Sequence, residues 1–212
     1  VTIGPYLADP EVRRRSWLMR QGAGAAGAEP NAGHLALVEP ERSGLPVRVL
    51  TQNVDGLHQR SGLPERKVLE LHGTAQQVQS SVAGCAVGWH RRWSVWRRGA
   101  GPGVSDPACQ ECGGVLKPRT VMFGEALDPV VLGRAEAIAK ACDLFVAVGT
   151  LLQVYPVAAL PQTALDGGAR LVIVNAEPTP YDPAAYEVIR EAISLALPAL
   201  VRRIVAGGLV GE

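Results

Sequence analysis

Two short polar stretches and a set of cysteines carry the side chains that could do chemistry. The first stretch is Thr51-Gln52-Asn53-Val54-Asp55-Gly56-Leu57-His58, and the second is Glu70-Leu71-His72-Gly73-Thr74. Gln52 and Asn53 offer amides, Asp55 a carboxylate, and His72 an imidazole that, when neutral, can take a proton at pH 7. A histidine after a strand is also a common structural hydrogen-bonding residue, and residue type alone leaves both readings open. Cys109-Gln110-Glu111-Cys112-Gly113-Gly114 has the form of a metal-binding knuckle, with Gly where the tight turn needs it. A Cys-x-x-Cys pair in a reducing compartment points to metal or redox chemistry before a structural disulfide.

These residues need elements to position them. Leu45-Pro46-Val47-Arg48-Val49-Leu50 precedes the first stretch and reads as a buried strand over 46–51. A shorter apolar run, Lys67–Leu71, precedes His72. Asp143–Thr150 and Ala169–Asn175 are continuous apolar runs of the kind found in parallel sheets. Tyr186–Glu191 adds a short strand. Helices alternate with them. Asp9 caps a helix with Pro10 at its first position, running to Arg20. Asn31 caps a second helix that stops near Pro40. Asp128-Pro129 opens a third, running through Ile138, and Leu195–Val205 reads as a closing helix. The pattern predicts a doubly wound, Rossmann-like α/β fold with a parallel sheet. In such folds ligands sit off the carboxyl ends of the strands.

Composition bounds the function. With 212 residues, 47% hydrophobic and 19% charged, the chain can bury a core of one domain, or of a large domain with a small one. A formal net charge of +1 gives no global argument for nucleic acid or for an anionic membrane. No apolar run reaches membrane-spanning length and no signal pattern opens the chain, so no membrane partner is expected and a cytoplasmic location is. Gly22–Gly27 matches G-x-G-x-x-G, yet a basic helix precedes it where a dinucleotide fingerprint needs a strand; it reads as a linker. Between Leu71 and Ser105 there is no acidic residue, and Trp89, Trp93 and Trp96 interleave with Arg91, Arg92, Arg97 and Arg98. That text is open to three readings: a base-stacking surface for nucleic acid, a local module with little core, or text foreign to the surrounding reading frame. The first ranks last, because the rest of the chain reads as an enzyme core.

The wording TQNVDGLHQRSG followed by LELHGT closely resembles the signature of the sirtuin family, the NAD-dependent protein deacylases. Pro30–His34, Val121-Met122-Phe123-Gly124-Glu125, Val148-Gly149-Thr150 and Val154-Tyr155-Pro156 extend the resemblance. It implies an enzyme that transfers an acyl group from a protein lysine to ADP-ribose and releases nicotinamide. His72 would be the general base on a ribose hydroxyl. Gln52, Asn53 and Asp55 would line the ribose and nicotinamide pocket. Gly149 and Thr150 would contact phosphate and ribose, Asn175 the adenosine ribose, and Glu191 the end of a strand near the adenine. Val121, Phe123, Gly124 and Glu125 would pair the extended acyl-lysine peptide by strand addition.

The resemblance also implies a zinc-ribbon-type module inserted at 75–120, between the parts 1–74 and 121–212 of the NAD-binding domain. Family members build it from two Cys-x-x-Cys pairs. Here Cys109 and Cys112 form the second pair, while Ser80 and Ala83 stand about where the first is expected. Cys85 and His90 are the candidates for completing four ligands; two thiols alone make a weak half-site. Cys142 reads as a small hydrophobe. Leu151 replaces the usual Ser. The first family-like text, Thr2–Tyr6, corresponds to a point downstream of the family's Gly-rich pyrophosphate loop and its mobile loop over the nicotinamide. The resemblance is therefore to a shortened member whose central sheet lacks its first strand and whose catalysis stands in question.

Overall fold

The computed structural model describes residues 1–22, 28–82, 84–85, 91–92 and 106–208. Trp89, Trp93, Trp96 and His90, and most of the Gly/Ala stretch, lie outside the described residues. In chain order the elements are α1 (Ile3–Ala8), α2 (Pro10–Gly22), α3 (Ala32–Ala36), α4 (Val38–Arg42), β1 (Val49–Thr51), α5 (Leu57–Arg60), β2 (Val68–Glu70), β3 (Gly73–Ser80), β4 (Arg91–Arg92), β5 (Leu116–Thr120), α6 (Pro129–Lys140), β6 (Leu144–Val148), α7 (Leu160–Asp166), β7 (Arg170–Val174), β8 (Glu187–Ile189) and α8 (Ile193–Val205). They divide into two compact units. One comprises Val1–Ala28, Thr51–Gly56 and His72–Leu127; the other comprises Glu29–Leu50, Leu57–Leu71 and Asp128–Glu212.

The second unit holds a parallel sheet in the order β6-β7-β8. The central strand β7 is the most apolar, and Leu171 through Val174 are all buried. Its neighbours are half-buried, as expected of strands with one open side. α8 lays Ala196, Leu197, Leu200 and Val201 on Val172 and Val174. Positions 196, 197, 200 and 201 recur on one helical face, and each large side chain buried there contributes roughly 1.5–3 kcal/mol. Arg203 of α8 also donates from Nη1 and Nη2 to the two carboxylate oxygens of Glu187 on β8, at 2.8 and 2.9 Å.

The expected strand over 46–51 is shorter than its apolar text. Only Val49–Thr51 is strand, because Pro46 has no N–H to give and the Val47 N–H turns back onto Leu45 O at 2.8 Å. β1 pairs with β2 in a separate two-stranded sheet and does not join the parallel ladder. The helix capped by Asn31 is also two pieces. Asn31 and His34 form a reciprocal capping box at the start of α3. The helix breaks at Leu37, and Pro40 lies inside α4. Its position in the first turn of α4 explains this, since an N–H there has no helical partner to lose.

The first unit is built on an antiparallel sheet, β4-β3-β5. Trp17, Val78, Cys109 and Leu116 form its core. Tyr6 is fully buried and donates to Leu116 O at 2.8 Å. Arg13 closes the outside, with Nε donating to Asp106 at 2.7 Å and Nη1 donating to Tyr6 O and Leu7 O. Where β3 begins, Gly73 adopts φ +73°, and a Cβ there would lie 2.1 Å from Arg119 O. Only glycine permits that approach.

Two predictions follow from these contacts. Gly56 shares φ +73°, but a Cβ there would make only an ordinary 3.7 Å contact with Gln76. Gly56→Ala should cost about 1 kcal/mol of left-handed strain, and Gly73→Ala should cost at least about 2 kcal/mol more. Urea unfolding of the two variants measures the difference, and equal costs would remove the clash from the account. Arg203 holds the Glu187 carboxyl below its usual range. A depressed folded pKa stabilises above the ordinary carboxylate value of 4.5 and is lost as acid protonates the group. Glu187→Gln should therefore lose roughly 0.2–1 kcal/mol at pH 7, given the exposure of the pair, and progressively less as the pH falls below the ordinary carboxylate value. A penalty that does not change with pH would refute the assignment.

Candidate functional site

In the first unit the two polar stretches are laced together. Thr51 is buried, and its Oγ1 accepts the Asn53 N–H at 3.1 Å, which turns the chain at the end of the strand. Val54 O accepts the Ala75 N–H at 2.8 Å, and Asp55 O accepts from Gln76 Nε2 at 3.2 Å. His72 O accepts the Val121 N–H at 2.9 Å. The His72 ring is half-buried, with Nδ1 3.2 Å from Gln52 O. A carbonyl can only accept, so this contact is a hydrogen bond when Nδ1 carries the proton. Nε2 then keeps its lone pair, which is the arrangement a general base needs. Gln52, Asn53, Asp55 and His72 thus belong to one folded unit.

The segment Val121–Glu125 follows directly. Phe123 is 71% exposed, and its backbone pairs with the chain's own first residues. Its N–H donates to Val1 O at 3.2 Å, and its carbonyl accepts the Ile3 N–H at 2.9 Å. Both groups of one strand residue point the same way, so a strand added here would use the opposite edge. Glu125 turns inward. Its Oε2 accepts the Met122 N–H at 2.7 Å and the Lys117 ammonium at 2.8 Å. Lys117 is 3% exposed and also donates to Thr120 O. Glu125 therefore fixes the turn that presents Phe123 and Gly124.

Lys117 was not legible as a site residue, although a lysine inside Leu116-Lys117-Pro118 with an acid eight positions on is an available signal. Glu125→Ala leaves its ammonium buried and should destabilise by about 3 kcal/mol. The double change Lys117→Met with Glu125→Leu should recover more than half of that in urea unfolding; additive losses would refute the pairing.

The second unit brings together the residues expected on the nucleotide. The parallel ladder continues past the strand ends: Gly149 N–H donates to Val174 O at 2.9 Å, and Asn175 N–H donates to Ile189 O at 3.1 Å. Gly149, Asn175 and Arg190, with Thr150 and Glu191 beside them, therefore lie off the carboxyl edge of β6, β7 and β8. Gly149 is exposed with φ +62°, and a Cβ there would approach Ile193 Cδ1 to 3.0 Å. Thr150 Oγ1 accepts the Leu152 N–H at 3.2 Å. Asn175 Nδ2 donates to Glu177 O at 2.8 Å. Arg190 Nη1 donates to Asn175 O and Glu177 O, both at 2.8 Å, and Nη2 pairs with Asp182. Arg190 is the residue missed from sequence; its place directly after a short strand was the clue. A glycine turn with a neighbouring amide and hydroxyl on one sheet edge fits the polar groups of a dinucleotide.

The cysteines of the first unit also converge. The sulfurs of Cys85, Cys109 and Cys112 all lie within 4.8 Å of one another. This goes beyond the half-site read from Cys109 and Cys112. Cys142 stays apart in the second unit, half-buried, with its thiol donating to Ala139 O at 3.1 Å. The Ser80 hydroxyl and then the Gly114 N–H draw the Cys112 thiol down to about 7, whereas burial pushes Cys142 up. Three converging thiols suit zinc, which favours sulfur ligands in tetrahedral array.

Comparison with known proteins agrees with this construction. The Sir2 family model matches residues 7–156. The NAD-dependent protein deacetylase 2 of Streptomyces coelicolor is 61% identical over 202 residues, covering 95% of this chain and 82% of the relative. The NAD-dependent protein deacylase 2 of Archaeoglobus fulgidus is 41% identical over 178 residues, covering 84% and 68%. A solved structure described under the mechanism and regulation of Sir2 enzymes superposes with a TM-score of 0.81 at 38% identity, covering 96% of this chain and 78% of that one. A Sir2–p53 peptide–NAD+ structure superposes with a TM-score of 0.80 at 29% identity, covering 99% and 82%. With its laced polar stretches, its parallel sheet and this breadth of match, the chain belongs to the Sir2 family.

Proposed function

We propose that this chain is an NAD-dependent protein lysine deacylase that moves the acyl group to ADP-ribose and releases nicotinamide. The observation that carries the reading is the His72 Nδ1 contact with Gln52 O, within a chain of this family. Relatives named as NAD-dependent protein deacetylases and deacylases support it. So do Sir2 structures described with p53 peptide, NAD+ and 2'-O-acetyl-ADP-ribose. NAD, when bound, supplies the activated ribose carbon and the acceptor for the acyl group.

The chain's own residues have definite tasks in this reading. His72 accepts a hydroxyl proton at Nε2 while Gln52 O keeps the ring from turning. Gln52 and Asn53 orient polar groups of the ligand, and Asp55 orients a hydroxyl. Gly149, Thr150, Asn175 and Glu191 hold the nucleotide, with Arg190 fixing the Asn175 loop. Gly124 presents backbone to an extended acyl-lysine peptide on the edge opposite Val1 and Ile3, Val121 and Phe123 anchor that segment through their own backbone bonds, and Glu125 keeps it in shape. A cytoplasmic location belongs to the same proposal, in keeping with a Cys-x-x-Cys pair of the kind used for metal in a reducing compartment.

Nicotinamide release from NAD with an acetyl-lysine peptide tests the reading. His72→Ala should lower turnover by about 10²–10⁴-fold, while peptide binding measured by fluorescence anisotropy stays within twofold. Unchanged turnover would refute the role of His72, and failure of the unmodified chain to bind NAD by calorimetry would refute the activity.

A further inference from the structure

The carboxyl edge of the parallel sheet ends in a clamp. Arg190 follows β8 directly. Its Nη1 donates to Asn175 O and to Glu177 O, both at 2.8 Å, and Nη2 pairs with Asp182. Glu177 O also accepts Asn175 Nδ2 at 2.8 Å, so the carbonyl that Arg190 holds sets the direction of the Asn175 amide. Asp182 is held in turn. Its Oδ1 accepts the Thr179 hydroxyl at 2.8 Å, and Thr179 is 7% exposed. Tyr181, between them in the chain, donates its phenol to Ala158 O at 2.8 Å. One guanidinium thus closes the loop 175–182 onto the end of β8.

The same pairing sets the charge of this edge. In dinucleotide sites an arginine near the adenosine ribose accommodates a 2'-phosphate, whereas a carboxylate there suits the free hydroxyl. Arg190 reaches the backbone that carries Asn175, yet its Nη2 is turned to Asp182, whose charge cancels its own. Glu177 is exposed two residues beyond Asn175, and Glu191 is exposed directly after Arg190. Three carboxylates against one guanidinium leave the edge negative, which disfavours a further phosphate.

We propose that Asp182 is a specificity-determining residue of the nucleotide subsite: by holding Arg190 to the loop, it closes the ribose end to a 2'-phosphate and keeps the subsite for NAD. Arg190 is the positioning residue through which it acts. The inference rests on the deacylase reading and its assignment of Asn175 to the nucleotide. Asp182→Asn keeps an oxygen for the Thr179 hydroxyl and for Nη2 but drops the charge, so the guanidinium has an uncancelled positive charge to offer. Arg190→Ala removes the clamp and the cation together.

The test measures binding of NAD and of NADP to the full chain by calorimetry, with no acyl peptide present. The unmodified chain should favour NAD by at least about tenfold, and Asp182→Asn should raise the affinity for NADP relative to NAD by about tenfold, the effect of removing one like charge at close range. The double change Asp182→Asn with Arg190→Ala should lose that gain. Arg190→Ala alone should raise the KM for NAD about tenfold in the deacylation assay while kcat moves less than twofold, a split that a general loss of folding would not give. Asp182→Ser, also uncharged, takes the place of Asp182→Asn where that variant fails to fold. Equal affinity of the unmodified chain for the two nucleotides, an unchanged ratio in the Asp182 variants, or a gain that survives Arg190→Ala would each overturn the inference and leave the deacylase reading standing. An unmodified chain that binds no NAD would overturn that reading, and the specificity with it.

Discussion

The first unit depends on one close approach, that of Gly73 to the backbone of Arg119. Residue 73 takes a left-handed conformation with no room for a side chain. This lets β3 start against β5 directly after His72. The consequences run both ways along the chain. Upstream, His72 stays beside Gln52, and Ala75 can bond to Val54 O. Downstream, the Val121 N–H reaches His72 O, so the segment bearing Phe123 leaves β5 in a fixed direction. The imidazole's place beside Gln52 and the course of the presenting segment thus share a cause in the absence of one methyl group.

Local signals in the sequence were read well because their physics is local. Asp128 does accept from the N–H groups of Val130 and Val131 at the start of α6, and Asn31 does form its cap. The strands of the parallel sheet were visible as apolar runs, since β7 is buried and leaves little choice of residue. The family wording singled out His72 and its neighbours as candidates. Strand pairing was not legible. Nothing in Val47–Leu50 says that β1 joins β2, because an apolar run does not name its neighbour.

The thiols were legible as candidates, but their grouping in space was not, for the same reason. Spacing along the chain makes Cys109 and Cys112 a pair and names Cys85 only as a candidate to join them. In space, β3 pairs antiparallel with β5 in a register that sets Ser80 opposite Leu116 and Gln79 opposite Lys117. That register carries the end of β3, and Cys85 shortly after it, back to the knuckle that precedes β5. The buried Lys117 was missed likewise: its partner Glu125 becomes a neighbour only after the chain turns beyond Thr120.

β3 has His72 before its first residue and Ser80 as its last. Eight extended residues span roughly 26 Å, and the two ends are joined by β3 and by its partner β5. The strand is not a uniform rod. Its pairing with β5 shifts register between Gly73 and Val78, while Val78 through Ser80 follow an even ladder. An irregularity of this kind absorbs small displacements locally. A metal at the thiol end would therefore tighten Val78, Cys109, Leu116 and Trp17 as one core; among the described residues of the unit, Tyr6 and Met122 are further large buried apolar side chains. The histidine end is fixed separately, by Gly73 against Arg119 and by Gln52 against the ring. The thiol corner acts on the stability of the unit, and the polar lacing around His72 acts on its chemistry.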